Sequence, residues 1–354
     1  MGFFYTFSKF TLSNIINKVF YYFYLNLKNF TVRKTFKSAL ILSLLLVTQI
    51  SKAQGDVNLL IDDMLLIADN FAAPGAEGAT LQSTAGWFSS ASTLNKWQVE
   101  VSVHGNTLFV PGSKLNKSVN NGQFKILEIS GATNALLPTV YGGATDVVFE
   151  GSIFGQDISF DALDGLDKKV VLHGFPQVTL GLPYRTEIAV RYMPEVYIND
   201  VGISTYGVGL KHNFSQYFQR RFDPDNFQFA LMGNYSNFKA NYKFLPIDIQ
   251  IANLNRIDVD ANMWNLQVIG SKLYDNFEVM AGLGYTNSNF DYAFGGTGAS
   301  LSILNAQLGA LGKNEGKFKG NIGFNYYANQ FKVSTVFSAS GIFNANLGVH
   351  YRFN

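Results

Sequence analysis

Four histidines, His104, His173, His212 and His350, are the side chains best placed to move protons near neutral pH. None has a second histidine or a carboxylate at the spacing a ligand set needs, so no metal site is expected. A nucleophilic mechanism needs a serine within hydrogen-bond reach of a histidine. His212 and Ser215 are three residues apart, hence on opposite faces of a strand. His104 and His350 could each meet a serine across strands, although no spacing requires it. The pairs Gly207/Gly209 and Gly282/Gly284 do not extend to a phosphate-binding Gly-x-Gly-x-x-Gly, and alternate glycines more often allow curvature or the close approach of another segment. The sequence therefore implies no catalytic residue, no cofactor and no enzyme. It does place Glu187 and Arg191 on one face of a strand, where they can join a charge network or touch a ligand.

Cysteine is absent, so there is no disulfide framework, thiolate zinc site or thiol nucleophile. Residues 1–53 hold Lys9, Lys18, Lys28, Arg33, Lys34, Lys37 and Lys52 and no acidic residue. Arg33, Lys34 and Lys37 precede an apolar core at 39–47, and Ser51-Lys52-Ala53 offers small residues for cleavage before Gln54. That is the three-part pattern of a secretory signal, preceded by an unusually long leader. Removing it takes seven of the 27 basic residues and leaves 20 against 25 acidic, a net charge of −5. A nucleic-acid partner loses its compositional support.

The groups named above must be positioned by strands. In residues 343–353 the odd positions Phe343, Ala345, Leu347, Val349, Tyr351 and Phe353 are apolar; Asn344, Asn346, Gly348, His350 and Arg352 between them are polar or glycine. A period of two gives one greasy and one wet side. The stretch is about as long as a tilted strand that crosses a bilayer, roughly 9–11 residues. The same alternation runs through Val99–Val103, Ile188–Tyr192, Phe227–Tyr235, Trp264–Val268, Phe277–Tyr285, Ile322–Tyr326 and Phe331–Phe337. After a turn expected at Ser236-Asn237, it resumes as Phe238, Ala240, Tyr242 and Phe244.

Aromatic residues recur at strand ends on the apolar side (Tyr235, Tyr285, Phe331, Tyr351), as interfacial girdles require. The wet side carries Glu100, His104, Glu187, Arg191, Glu278, Lys332, His350 and Arg352, which are the expected lumen-lining residues. After residue 54 no apolar run is long enough for a helical span. The fold class is therefore all-β, a transmembrane antiparallel up-and-down barrel. At about 20 residues per strand and connection, residues 97–354 give 12–14 strands, an even number as bacterial barrels take, with 14 favoured. Residues 124–176 are poorly patterned, and 157–169 read as a loop or an inward-folded segment.

Ahead of the barrel lies one helix. Asp56 can cap it, and Val57, Leu60, Ile61, Met64, Leu65, Ala68 and Phe71 share a face. Pro74 and Gly75 should end it, with an irregular remainder up to residue 96. Its polar side, with Asp62, Asp63 and Asp69, suits anionic headgroups poorly, so residues 54–96 are read as a hatch that plugs the barrel mouth from the periplasmic side.

This plan of leader, short helical hatch and barrel resembles the long-chain fatty-acid outer-membrane transporters of the FadL type. Three stretches, Gly86-Trp87-Phe88-Ser89-Ser90-Ala91, Thr186-Glu187-Ile188-Ala189-Val190-Arg191-Tyr192-Met193-Pro194 and Tyr206-Gly207-Val208-Gly209-Leu210-Lys211-His212, are similar to an uncharacterised family of Gram-negative outer-membrane barrels. The resemblance implies Sec-type export, help from the barrel-assembly machinery during insertion, and outer-membrane lipid as a partner. The leading functional expectation is a passive channel or transporter for a small hydrophobic molecule, gated by the hatch. The rival is a structural or accessory barrel of a secretion or adhesion machine that transports nothing.

Overall fold

The computed structural model describes residues 30–198, 201–218, 227–310 and 314–353. The chain divides into two compact units, 1–58 and 59–354. Much of the expected leader, residues 1–29, lies outside the described residues; the rest of the first unit is helical, as the start of α1 (Phe30–Thr84).

In the second unit β1 (Val99–Phe109) is followed by five short strands, β2 (Asn116–Asn120), β3 (Glu128–Ile129), β4 (Asn134–Pro138), β5 (Val148–Ile153) and β6 (Gln156–Asp161). Longer strands then run to the end of the chain: β7 (Val170–Leu182), β8 (Thr186–Ile198), β9 (Val201–Asn213), β10 (Phe227–Asp248), β11 (Asn253–Tyr274), β12 (Phe277–Thr297), β13 (Asn314–Ala328), β14 (Phe331–Ala339) and β15 (Phe343–Arg352). A helix, α2 (Leu301–Ala310), separates β12 from β13. β1 pairs antiparallel with both β15 and β7, and the remaining neighbours are sequential, so the sheet closes on itself.

Ten strands close this barrel, not the 14 expected. Two features absorb the difference. Residues 110–169 form one connection between the neighbours β1 and β7, holding a β2–β4 pair and a β3–β5–β6 sheet outside the barrel. In addition, β10, β11 and β12 run for 22, 22 and 21 residues, about twice the length a crossing needs.

The long strands explain the turn expected at Ser236-Asn237, which does not exist. Tyr235↔Trp264, Ser236↔Met263, Asn237↔Asn262 and Phe238↔Ala261 pair in unbroken register. The strand keeps its parity while its surroundings reverse. Before the switch, Leu231 and Tyr235 are exposed on the outside and Met232, Asn234 and Ser236 are buried inside. Beyond it, Phe238, Ala240 and Tyr242 line an inner cavity while Lys239 pairs with Asp260 on an exposed outer face. On β11 the outer positions likewise change from Arg256, Asp258 and Asp260 to Trp264, Leu266 and Val268. The reversal marks where the wall leaves the bilayer.

Between two aromatic girdles the outside is apolar. One girdle holds Phe109, Tyr192, Tyr206, Tyr235, Trp264, Tyr285, Phe318 and Phe343; the other holds Trp97, Tyr184, Tyr274, Phe277, Tyr326, Phe331 and Phe353. Trp264 and Tyr274, ten residues apart on β11, are separated by about 25 Å of height at roughly 3.3 Å per residue and a tilt of about 40°. That matches the apolar band of a bilayer-spanning barrel.

The second girdle lies at the end of tight turns, where Tyr184, Arg185, Asp275 and Asn329 take positive φ. The longest connections, 110–169 and 298–313, lie at the other, loop end. α1 continues past Pro74 to Thr84, ten residues beyond its expected end. Proline removes the donor that the Asn70 carbonyl would take, and one residue on the Val140 N–H donates to the Phe71 carbonyl (3.0 Å). Leu60, Ile61, Met64, Leu65 and Phe71 are buried as the helical pattern requires. The polar side differs: Asp63 is buried and accepts the N–H groups of Lys125, Ile126 and Leu127 at 2.7–2.8 Å. These contacts are all with residues of the 110–169 connection, so within the second unit the helix packs at the loop end of the barrel, not at the end of the tight turns.

Candidate functional site

From Leu81 the chain runs down the lumen to Asn95, and Trp97, two residues on, donates its N–H to the Gly181 carbonyl at the turn end (2.7 Å). The segment in between, 85–96, is irregular, so its backbone groups need partners from the wall. The wall supplies them. Arg191 Nη1 donates to the Ser83 and Ala85 carbonyls (3.4 and 3.2 Å) and Nη2 to Gln177 Oε1 (3.1 Å). Lys319 Nζ donates to the Thr84 carbonyl (2.7 Å) and Ser236 Oγ to the Ser83 carbonyl (3.0 Å). Ser83 and Thr84 carry the last carbonyls of α1 and Ala85 follows them, at the negative end of the helix dipole, where buried cations are favoured.

Farther down, Lys211 donates to the Ser90 and Ser92 carbonyls (2.8 and 2.5 Å) and pairs with Glu187 (2.8 Å), while Glu187 accepts the Leu94 N–H (2.5 Å). Glu278 accepts from Ser90 Oγ and Asn325 Nδ2, both at 2.7 Å, and Asn325 also donates to the Ser89 carbonyl (2.8 Å). An apolar knot of Trp87, Phe88 and Ala91 with Ala189, Ala230, Met232, Ile269, Met280 and Val336 fills the middle. Glu187 and Arg191 thus share a face without bonding each other; each holds a different part of the plug. The polar side of the wall meets a plug in place of bulk water. Lys211, Lys319 and Gln177 belong to the same network and were missed in the sequence, although each occupies the inward parity of its strand.

Glycine makes room for the knot. A Cβ at Gly209 would lie 2.7 Å from the Trp87 ring, and one at Gly207 would lie 2.5 Å from the Tyr235 carbonyl and 2.9 Å from Trp87. Gly282 and Gly284 serve the wall itself, where a Cβ would meet Gln267 at 2.3 and 2.8 Å. Gly209→Val should therefore displace Trp87 and cost about 1–3 kcal/mol by overpacking, read as a lower urea midpoint with the barrel still formed.

Where β1 meets β15, Glu100 accepts from His350 Nδ1 (2.7 Å), Lys332 Nζ (3.0 Å) and Arg352 Nε (2.8 Å), and Ser334 Oγ lies 2.8 Å from His350 Nε2. On the same wall Ser102 Oγ is 2.9 Å from His104 Nε2, whose Nδ1 faces Asn346 Oδ1 (3.2 Å). Serine, histidine and acid are in the order of a hydrolytic triad. Space for a substrate is missing: a Cβ at Gly348 would already sit 2.6 Å from Ser334 Oγ, and Ser334 is fully buried. The arrangement balances charge where the barrel closes.

At the loop end, α1 and the wall enclose an apolar cavity of about 390 Å³. Phe71, Ala72, Gly75, Ala76 and Ala79 line it from the helix, Val201, Ile203, Phe238, Ala240, Ile257, Val259 and Phe290 from the wall, and Val140, Tyr141 and Leu166 from the β1–β7 connection. Glu77, on the next turn of the helix, is tied to Lys114 (2.5 Å) and Lys317 (3.0 Å). Burial disfavours its charge, yet the two lysines hold the carboxyl below its ordinary range.

Beside the cavity the wall is incomplete. β7 and β8 pair only from Gln177↔Arg191 to Leu182↔Thr186. Val170–Pro176 pairs with β1 alone and Tyr192–Ile198 with β9 alone, among the described residues. Each free edge carries a proline, Pro176 or Pro194, that has no N–H to offer, and β8 also slips register between Met193 and Val196. Leu172, which points outward and is 67% exposed, lines the same cavity as the inward-facing His173. The cavity therefore reaches the outer surface through this seam. Open sheet edges at membrane depth are tolerated where they border a cavity.

Among curated protein sequences none matches the chain. Similar solved barrels include the translocator domain of autotransporter NalP from Neisseria meningitidis, at 11% identity and a TM-score of 0.31 over 79% of this chain and 94% of that one. A FadL homologue from Pseudomonas aeruginosa gives 9% and 0.32 over 70% and 61%, and the outer membrane protease OmpT from Escherichia coli gives 10% and 0.28 over 75% and 100%. At these scores the likeness is one of barrel to barrel. The family is shown by sequence: with a match over residues 32–353, the chain belongs to the Family of unknown function (DUF6588).

Proposed function

We propose that this protein reaches the outer membrane of a Gram-negative cell by Sec-type export and assembly-machinery insertion, and there passes a small hydrophobic molecule. No catalytic step is assigned to it. The observation that carries the reading is the apolar cavity between helix and wall, open through the β7–β8 seam beside Leu172. An apolar solute can enter such a space from lipid without being hydrated on the way. The plug blocks the lumen beneath it, so onward passage requires residues 81–96 to shift, a gate farther along the chain than the helix Val57–Phe71 expected from the sequence.

The test fills the cavity. Ala240 lines it from β10, and Ala240→Trp occupies it from a wall position away from the plug anchors. Intact Gram-negative cells expressing the protein should accumulate the apolar dye N-phenyl-1-naphthylamine about tenfold faster than cells expressing A240W at equal surface levels, a factor worth about 1.4 kcal/mol. Equal rates would remove the proposal. The dense bonding of the plug favours a second reading, an accessory barrel that moves nothing; a stable partner on pull-down, with no difference in dye uptake, would select it.

A further inference from the structure

The cavity is greasy, but one polar side chain in it has nothing to bond. Both ring nitrogens of His173 are buried and without a hydrogen-bond partner among the described residues. Of the cavity's lining, His173 is the residue with buried polar side-chain atoms that lack a partner among the described residues. Gln82 Nε2 donates to the Val171 carbonyl (3.0 Å), the Tyr242 hydroxyl to the Asp164 carbonyl (3.1 Å) and the Tyr141 hydroxyl to the Gly75 carbonyl (3.5 Å). Lys168 is exposed at the rim. His173 belongs to the inward parity of β7, one residue from Leu172 at the seam, so it stands where an entering molecule would arrive.

A buried polar group left unpaired costs on the order of 1–3 kcal/mol, so an orphan pair of ring nitrogens asks for a partner. A neutral imidazole offers one N–H donor and one bare acceptor nitrogen, and a hydroxyl is the small group that satisfies either. An anionic head would have to shed its water into an apolar space. Arg191, a buried cation on the neighbouring strand β8, is already committed to the plug carbonyls. We propose that the cavity takes a molecule with an apolar body and a single neutral hydroxyl head, and that His173 is the residue that recognises that head. The inference rests on the hydrophobic-solute reading above for the cavity having a ligand at all, and adds the head group.

The experiment uses the full chain in lipid nanodiscs, with bound N-phenyl-1-naphthylamine as reporter and empty discs as the partition control. Dodecanol, dodecane and dodecanoate are titrated as competitors. Dodecanol should displace the dye at about one-tenth the concentration of dodecane, the gain expected of one buried hydrogen bond. H173L should bring dodecanol to the level of dodecane without changing dodecane, and H173Q, which keeps a donor and an acceptor, should restore part of the preference. Equal competition by dodecanol and dodecane in the wild type overturns the head-group assignment and leaves the cavity reading standing, as does tighter binding of dodecanoate. Absence of saturable dye binding overturns both. The heat-induced shift of each variant on gels verifies that the barrel has folded, and H173Q carries the test if H173L does not pass.

Discussion

Arg191→Met (R191M) is expected to open the barrel to ions, giving long conducting episodes in planar bilayers where the wild-type protein is almost silent. The guanidinium bridges the end of α1 and the wall through the Ser83 and Ala85 carbonyls and Gln177 Oε1. It also lies over two rings, 4.2 Å from the Trp87 centroid and 3.6 Å from that of Phe175. Methionine fills much of the volume but takes the guanidinium from the Ala85 carbonyl and Gln177 Oε1 in a site closed to water, while the Ser83 carbonyl keeps Ser236 Oγ and Trp87 Nε1. At about 1–3 kcal/mol for an unpaired buried acceptor, a loss of about 3 kcal/mol in plug seating is expected, on the order of a hundredfold in the closed-to-open ratio. Lysine should rescue this only in part, since one point charge cannot span both faces as the planar fork does. Lys319→Met, which removes one bond to Thr84, should have a smaller effect of the same sign. If R191M folds normally and stays silent, the plug is held by the Trp87–Phe88 knot and the polar contacts are secondary.

How legible all this was in the sequence depends on the range over which each signal acts. Alternation is local, so β15 and the neighbouring long strands could be read directly, as could the buried helix residues Leu60, Ile61, Met64, Leu65 and Phe71. Parity reports a contrast between two sides of a strand without saying which side is which. That is why Phe238, Ala240 and Tyr242 read as a new strand after a turn when they are the inner face of an uninterrupted one. The strand count failed for a related reason: a wall that rises past the bilayer consumes residues without adding crossings. Pro74 is a helix-breaking signal by type, yet the helix runs through it to Thr84, held there by contacts such as the Val140 N–H on the Phe71 carbonyl that lie far away in sequence. The bonds of Arg191, Lys211 and Lys319 to plug carbonyls had no local trace, because an acceptor that is backbone has no sequence signature. The seam had one: Pro176 and Pro194 on adjacent strands each remove a ladder donor.

Closure of the barrel should depend most on Glu100. In the β1–β15 register Glu100 lies opposite Arg352, and its carboxylate takes Arg352, His350 and, from β14, Lys332. Lys332 is almost wholly buried and has Glu100 as its ion-pair partner among the described residues. Glu100→Gln keeps the shape, removes the charge and turns an N–H donor toward other donors. The expected loss is about 3–5 kcal/mol, the cost of stranding a buried charge, read as a lower urea midpoint for the barrel refolded into liposomes. Refolding should also slow, because β1–β15 is the pairing most distant in sequence, with 250 residues between Glu100 and His350. The double change E100Q/K332M separates charge from shape. With both members of the pair neutral, part of the loss should return as a coupling of about 0.5–3 kcal/mol. An E100Q midpoint equal to wild type would mean that backbone pairing alone closes the barrel. The cluster of acid, histidine and serine would then need a purpose other than charge balance, and the triad order around Ser334 would be the place to look for it.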